Sequence, residues 1–289
     1  MLAMIHWTNG MFEAFPVLFL GIWGRFAYAL GLALAVCAFG GFTLRPNGRW
    51  GLGRERVHWD TRALVSIVLT IVLVMGSGYL GSSIVLVEGA QTLESLKDAM
   101  VFVCVVLFGY PAFIGVVIAY ILSDMIEGVS PTLLWRWIEC FPMIPAYHWI
   151  AYQFFGKDPD FRKLRTWGWY ALFVIIFMAF YPPLWGYACG PLSGVFSAED
   201  AYYKITPALF LTLVFTWAMA PILMLVALPM ARRFGLYWAE IPARVRERTL
   251  GSRQWVWESG SRTGSPGMQY VNRGLPIRIL IAGPFIDWC

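Results

Sequence analysis

Residues 99–122 read AMVFVCVVLFGYPAFIGVVIAYIL, about 24 positions without a charged side chain. At about 1.5 Å of rise per residue, a helix of 18 or more such positions approaches the roughly 30 Å hydrocarbon core of a bilayer. Comparable apolar runs lie near 16–43, 63–87, 167–189 and 206–231. The chain is therefore expected to be all-α, a polytopic membrane helix bundle with five full spans. A further segment, 131–152, holds Arg136, Glu139 and His148 together with Pro142 and Pro145. Charge at bilayer depth is costly and an internal proline removes a helical hydrogen bond. This segment is expected either as a broken element folded against the other helices or as a sixth span.

Composition agrees with lipid as part of the solvent. Of 289 residues 59% are hydrophobic and 13% charged, against roughly 25% charged in a soluble domain. Fifteen Trp, thirteen Tyr and twenty-one Phe exceed what a soluble core of this size uses, and amphipathic aromatics favour the headgroup level. The five cysteines are scattered at 37, 104, 140, 189 and 289, and the three histidines at 6, 58 and 148. No CxxC pair or Cys/His cluster occurs, so neither a metal site, a cofactor nor a disulfide framework is expected. The first 24 residues carry no Lys or Arg, which removes the basic region of a cleavable signal peptide and leaves the first run as a retained helix.

Loop charge suggests orientation. Arg45, Arg49, Arg54, Arg56 and Arg62 flank the second run, Lys157, Arg162, Lys163 and Arg165 precede the run at 167, and Arg232, Arg233, Arg244, Arg246 and Arg248 follow the last. The stretches 88–98 and 190–205 hold one lysine each. Positive residues mark the cytoplasmic side. Five crossings with 131–152 entering and returning place all three basic regions there, with the N-terminus outside and the C-terminus cytoplasmic, in a bacterial inner membrane. The net charge of +5 then belongs to topology and anionic lipid rather than to nucleic acid. Within the expected bundle of 1–250, Ala27, Gly31 and Ala35 form a small-residue stripe suited to close helix packing, and Pro182-Pro183 should kink or end their helix. A basic helix through Arg248 leads into a Gly/Ser-rich linker at 251–275 and an apolar element at 276–289 that is expected to continue beyond Cys289.

The residues able to carry chemistry are few. Asp124 and Glu127 lie three apart after the central run, on one face of a continued helix. They could take up a proton or a cation, or form a solvated helix end capped by Gly128. Arg136 and Glu139 could pair, and His148 stands among Tyr147, Trp149 and Tyr152, either an aromatic-lined pocket for a small ligand or an interfacial belt. Arg25 interrupts the first run as a buried ion pair or a boundary residue. Asp160 is a candidate helix N-cap. Lys157, Arg162, Lys163 and Arg165 are expected to face acidic headgroups at the membrane surface. No phosphate-binding GxxxxGK[ST], HExxH, GxSxG or kinase signature is present.

The stretches LFGYPAFIGVVIAYILSDMIEGVSPTLL (107–134), AYQFFGKDPDFRKLRTWGWY (151–170) and ITPALFLTLVFTWAMAPILMLVALPMARRFGLYWAEIPARVRER (205–248) resemble the multi-span N-terminal input regions of bacterial membrane-bound adenylate/guanylate cyclases and related sensor proteins. SDMIEGVSP and GKDPDFRKLRTW are the most specific pieces. The resemblance implies a sensory or regulatory membrane module without its catalytic output domain, hence no enzyme activity of its own. Its partners would be the lipid bilayer, a small-molecule ligand and a second copy of the chain. A different reading of the same bundle is the substrate-binding membrane subunit of a vitamin-like transporter.

Overall fold

The computed structural model describes residues 17–44, 51, 53–54, 59–83, 85–87, 91–92, 96–155 and 158–240. The expected helix through Arg248, the 251–275 linker and the 276–289 element lie outside the described residues. Among the described residues, eight α-helices of more than one turn run in the order α1 Val17–Phe39, α2 Thr61–Ser82, α3 Leu96–Phe108, α4 Tyr110–Ile126, α5 Pro131–Trp137, α6 Met143–Phe155, α7 Leu164–Tyr187 and α8 Thr206–Arg233. Two small antiparallel hairpins join them, β1 Phe42–Thr43 with β2 Gly53–Arg54 and β3 Val85–Val87 with β4 Gln91–Thr92. The second apolar run is thus helical only to Ser82, and its last residues form a strand.

The side-chain pattern of α2 is inverted relative to a helix in water. It buries Ala63, Ser66, Thr70, Val74, Ser77, Gly78 and Gly81 and leaves Leu64, Val68 and Val72 at 61, 53 and 61% exposure. Small and hydroxylated residues let neighbouring backbones approach, while large aliphatics face a solvent that is itself apolar. Asp60 caps this helix by accepting from the N–H groups of Arg62 and Ala63, the usual role of an N-cap carboxylate. Helices reaching Phe19–Phe39, Thr61–Ser82 and Leu164–Leu192, and the helical stretch Ala198–Glu240, are long and apolar enough to cross a membrane. The protein is an all-α membrane bundle among its described residues, apart from the two hairpins.

The 99–122 run is not one straight span. It breaks at Gly109, whose φ of 63° lies in the region that L side chains rarely adopt. The Trp238 ring would stand 2.7 Å from a β-carbon added at this position. The chain reverses there, so that Asp98 in α3 and Tyr120 in α4, equidistant from Gly109, share a hydrogen bond of 3.0 Å. The 13 residues of α3 extend only about 20 Å. Its backbone lies inside protein: Val101 through Phe108 are each at most 4% exposed. Apolar composition marks burial, and here the cover is protein rather than lipid.

Segment 131–152 is broken, as α5, a 3-10 turn at Ile138–Cys140 and the start of α6. The small-residue stripe of α1 does receive a neighbour. Ala27 and Ala35 are buried, a β-carbon on Gly31 would stand 2.9 Å from the Met143 sulfur, and the Tyr147 hydroxyl donates to the Ala27 carbonyl. Arg25 is exposed, which removes the buried ion pair from its options.

Prolines do not end α7 or α8. Pro182 and Pro183 lie inside α7, Pro221 and Pro229 inside α8. Each proline strips the carbonyl four residues earlier of its helical donor, a defect that hydrocarbon cannot repair. Pro183 frees the Ala179 carbonyl, and the Trp23 indole N–H of α1 donates to it at 2.8 Å. Pro221 frees the Trp217 carbonyl, and the Tyr170 hydroxyl of α7 donates to that. In both places an aromatic side chain of another helix supplies the missing donor.

One end of the bundle collects the basic stretches. Tyr110 donates to Phe42 O at 2.9 Å; Thr43 Oγ1 and Leu44 N both reach Gln153 Oε1, at 2.9 and 2.7 Å; Asp158 pairs with Lys163 and, at 3.6 Å, with Arg232. Arg54 donates to Gly40 O beside the first hairpin. Asp160 is not the N-cap of α7: that position is Lys163, which makes no side-chain cap, and Asp160 instead accepts from Arg162 N at 3.1 Å in the turn before the helix.

Trp23→Phe and Tyr170→Phe should each lower stability by about 1–3 kcal/mol, because a carbonyl that neither hydrocarbon nor the protein interior can satisfy loses its donor. Adding Pro183→Ala to the first or Pro221→Ala to the second restores the helical N–H and should recover most of the loss. Unfolding in mixed micelles measures both cycles; strictly additive effects would refute the pairing.

Candidate functional site

An ionisable group inside a membrane bundle marks a functional centre by default, and Asp98 is the one buried carboxylate among the described residues. Its position explains why the sequence reading passed over it: it stands just ahead of AMVFV, where an acid reads as an ordinary first-turn residue. The reversal at Gly109 carries it inside instead. Asp98 is 4% exposed, and its Oδ1 accepts from Tyr120 of α4 at 3.0 Å and from Tyr181 of α7 at 3.2 Å. Lys97 extends past it, with the ammonium 4.9 Å from the centre of the Tyr120 ring.

His148 lies one layer deeper, fully buried in α6. Its Nδ1 lies 2.8 Å from Ile144 O, and the Asp98 main chain is a second polar neighbour of the ring; with the proton on Nδ1, facing the Ile144 carbonyl, Nε2 of the neutral ring is an acceptor. Phe177 meets the imidazole edge-on at 4.8 Å between centroids, and Trp217, Tyr181 and Phe173 surround it at 5.9, 6.2 and 6.3 Å. Tyr181 therefore touches both groups, giving its hydroxyl to Asp98 and its ring to His148. His148 Nε2 and the Trp217 indole N–H are buried without a hydrogen-bond partner. One accepts and the other donates. Such atoms carry a desolvation cost of a few kcal/mol unless something completes them, so the centre is chemically primed for a small polar group or a proton.

The other sequence candidates lie elsewhere. Ser123 donates to Glu127 at 2.9 Å on the exposed end of α4, Gly128 adopts a φ of 81°, and Val129 N closes onto Asp124 O at 2.9 Å. This is the capped helix end; Asp124 is half-buried there, with the Cys189 thiol as an electrostatic neighbour. Glu139 is exposed beside the Tyr28 hydroxyl. The Arg136 side chain and Lys157 lie outside the described residues. Of the candidate ligand or coupling residues whose side chains are described, His148 alone belongs to the Asp98 centre. Tyr147, Trp149 and Tyr152 are buried with it, facing protein rather than headgroups. Arg162, Lys163 and Arg165 are exposed at the basic end. Among the described residues no group of three or more His, Cys, Asp and Glu side chains could hold a metal ion.

Comparison of the chain with protein-family models, with curated proteins and with solved structures gives no match. The site therefore stands on its own geometry.

Tyr120→Phe and Tyr181→Phe should each cost about 1 kcal/mol of stability, the net worth of one hydrogen bond. On an Asp98→Leu background the same substitutions should cost nearly nothing. A double-mutant cycle in micelles checks this, and a coupling energy near zero for both tyrosines would show that Asp98 does not hold them.

Proposed function

We propose that the chain is a membrane-embedded sensory or regulatory module, the input part of a bacterial signal-transduction protein, and that the Asp98–Tyr120–Tyr181–His148 centre is where it senses. The observation that carries this reading is the convergence of five helices on one buried polar cluster: α3 through Asp98, α4 through Tyr120, α6 through His148, α7 through Tyr181 and α8 through Trp217. A proton or small ligand bound there alters the hydrogen bonding of all five at once. The shift in packing then follows α8 from Trp217 to Arg232 and Arg233 in its last turn. A ligand moves such an equilibrium only by the difference in its affinity for the two packings. The unpartnered His148 and Trp217 atoms supply that difference, because only a bound form completes them. Sensing is the role that the resemblance to cyclase input regions, an expectation from the sequence, would imply. In this reading the basic end faces the cytoplasm of a bacterial inner membrane, with the N-terminus outside, by the positive-inside rule.

The transporter-subunit reading has one observation in its favour, the helix pair broken at Gly109 with a polar centre enclosed by the bundle. Discontinuous helices of this kind surround substrate at membrane depth in many carriers.

The two readings separate in one experiment. In nanodiscs, Trp217 fluorescence should respond saturably to pH or to a member of a small-molecule panel, and Asp98→Asn or His148→Ala should remove the response without loss of fold. Vesicles containing the same chain should accumulate none of the active compound. Accumulation would give the transporter reading the better claim, and a fluorescence response unchanged in both variants would end the sensory one. Orientation is checked by alkaline phosphatase fusions, expected to be active when placed near Ser193 and inactive after Arg233.

A further inference from the structure

A second concave site lies at the basic end, away from the Asp98 centre. A cavity of about 270 Å³ is lined by Asp160, Phe161, Arg162, Met224, Leu225, Leu228, Pro229 and Arg232. Its construction is two-sided. The floor is the apolar last turns of α8, continuous with a face on which Leu225, Val226 and Met230 are 41, 62 and 53% exposed. Arg162 and Arg232 complete the lining, with the Arg232 guanidinium 5.3 Å from the centre of the Tyr237 ring. Arg232 shares Asp158 with Lys163, and Arg162 has no carboxylate partner among the described residues. The surrounding end holds Arg162, Lys163, Arg165, Arg232 and Arg233 against Asp158 and Asp160, a clear excess of positive charge.

We infer that this groove binds the phosphate-bearing head of an anionic membrane lipid, with Arg162 and Arg232 on the phosphate and an acyl chain leaving along Met224, Leu225 and Leu228. Three observations select a lipid. Arginine suits phosphate through its planar set of donors. The cavity falls below the roughly 300–1,000 Å³ that encloses a drug-sized ligand, so its occupant keeps most of its bulk outside, as a lipid does in the bilayer. Pro229 strips the Leu225 carbonyl of its helical donor, and both residues line the cavity, which suits a head that carries hydroxyl groups. The groove also ties the turn before α7 to the end of α8, so lipid there braces two helices against each other. This inference stands apart from the sensory reading and uses none of its residues.

The test is thermal unfolding of the full chain in a neutral detergent, titrated with phosphatidylglycerol, phosphatidylcholine or inorganic phosphate. Phosphatidylglycerol should stabilise strongly and saturably, and phosphatidylcholine weakly. Arg162→Gln should weaken the phosphatidylglycerol effect about fivefold, the size expected for one cation at an anionic lipid surface, and Arg162→Gln with Arg232→Gln should remove it. Arg165→Gln, a substitution of an exposed cation outside the groove, should leave it intact. Equal losses with Arg165→Gln and Arg162→Gln would reduce the effect to general surface charge and overturn the site. Inorganic phosphate reproducing the whole shift at matched concentration would replace lipid by a free anion, and equal stabilisation by phosphatidylcholine would remove the role of charge.

Discussion

Hydrocarbon offers a peptide group no partner, so every backbone donor and acceptor at membrane depth must be answered from within the protein. This requirement organises the bundle. Besides Pro207 in the first turn of α8, helices α7 and α8 contain four internal prolines between them, each of which opens a gap in the ladder of hydrogen bonds. Two of the freed carbonyls, Ala179 and Trp217, are met by Trp23 and Tyr170 from neighbouring helices. These bonds replace what proline removed and at the same time set which helix lies beside which. The arrangement also accounts for aromatics in the interior: an indole or a phenol carries one polar donor at the end of a large apolar body.

The same requirement explains the fold-back at Gly109. A non-helical residue is tolerated at that place because Trp238 covers it and the flanking helix α3 is enclosed by protein. The reversal brings an acid from one limb to a phenol of the other, and a second phenol from α7 joins them. A short interior helix thus turns an apolar run into the support for a polar centre. Helices α1 and α2, with large apolar side chains outward and mostly Ala, Ser, Thr and Gly inward, form part of the shell around it.

Much of this was legible in the sequence, and the exceptions have physical causes. The all-α bundle, the long helices near 17–39, 61–82, 164–187 and 206–233, the broken 131–152 segment, the close packing at Gly31 and the Gly128 cap follow from hydropathy, small-residue spacing and turn chemistry. The hairpin at 99–122 was hidden because hydropathy measures how dry a residue wants to be and cannot tell lipid from a protein interior. Gly109 was the one available signal, an isolated glycine followed closely by Pro111 inside an apolar run. Asp98 was missed for the same reason, since its burial depends on that turn. The Pro182-Pro183 pair read as a kink or an end because the sequence does not display the Trp23 bond that allows the helix to continue. His148 could be read from its aromatic neighbours, whereas Tyr181 and Trp217, distant in the chain, could not.

The order in which these parts leave the ribosome has its own logic. Trp23 is made long before Pro183, and Tyr170 before Pro221, so in each pair the residue that supplies the bond is already in place when the defective helix arrives. A nascent α7 or α8 entering the membrane alone would carry an unanswered carbonyl; entering beside its predecessor, it finds the answer waiting. The direction of synthesis itself therefore guards the two weakest helices of the bundle during assembly.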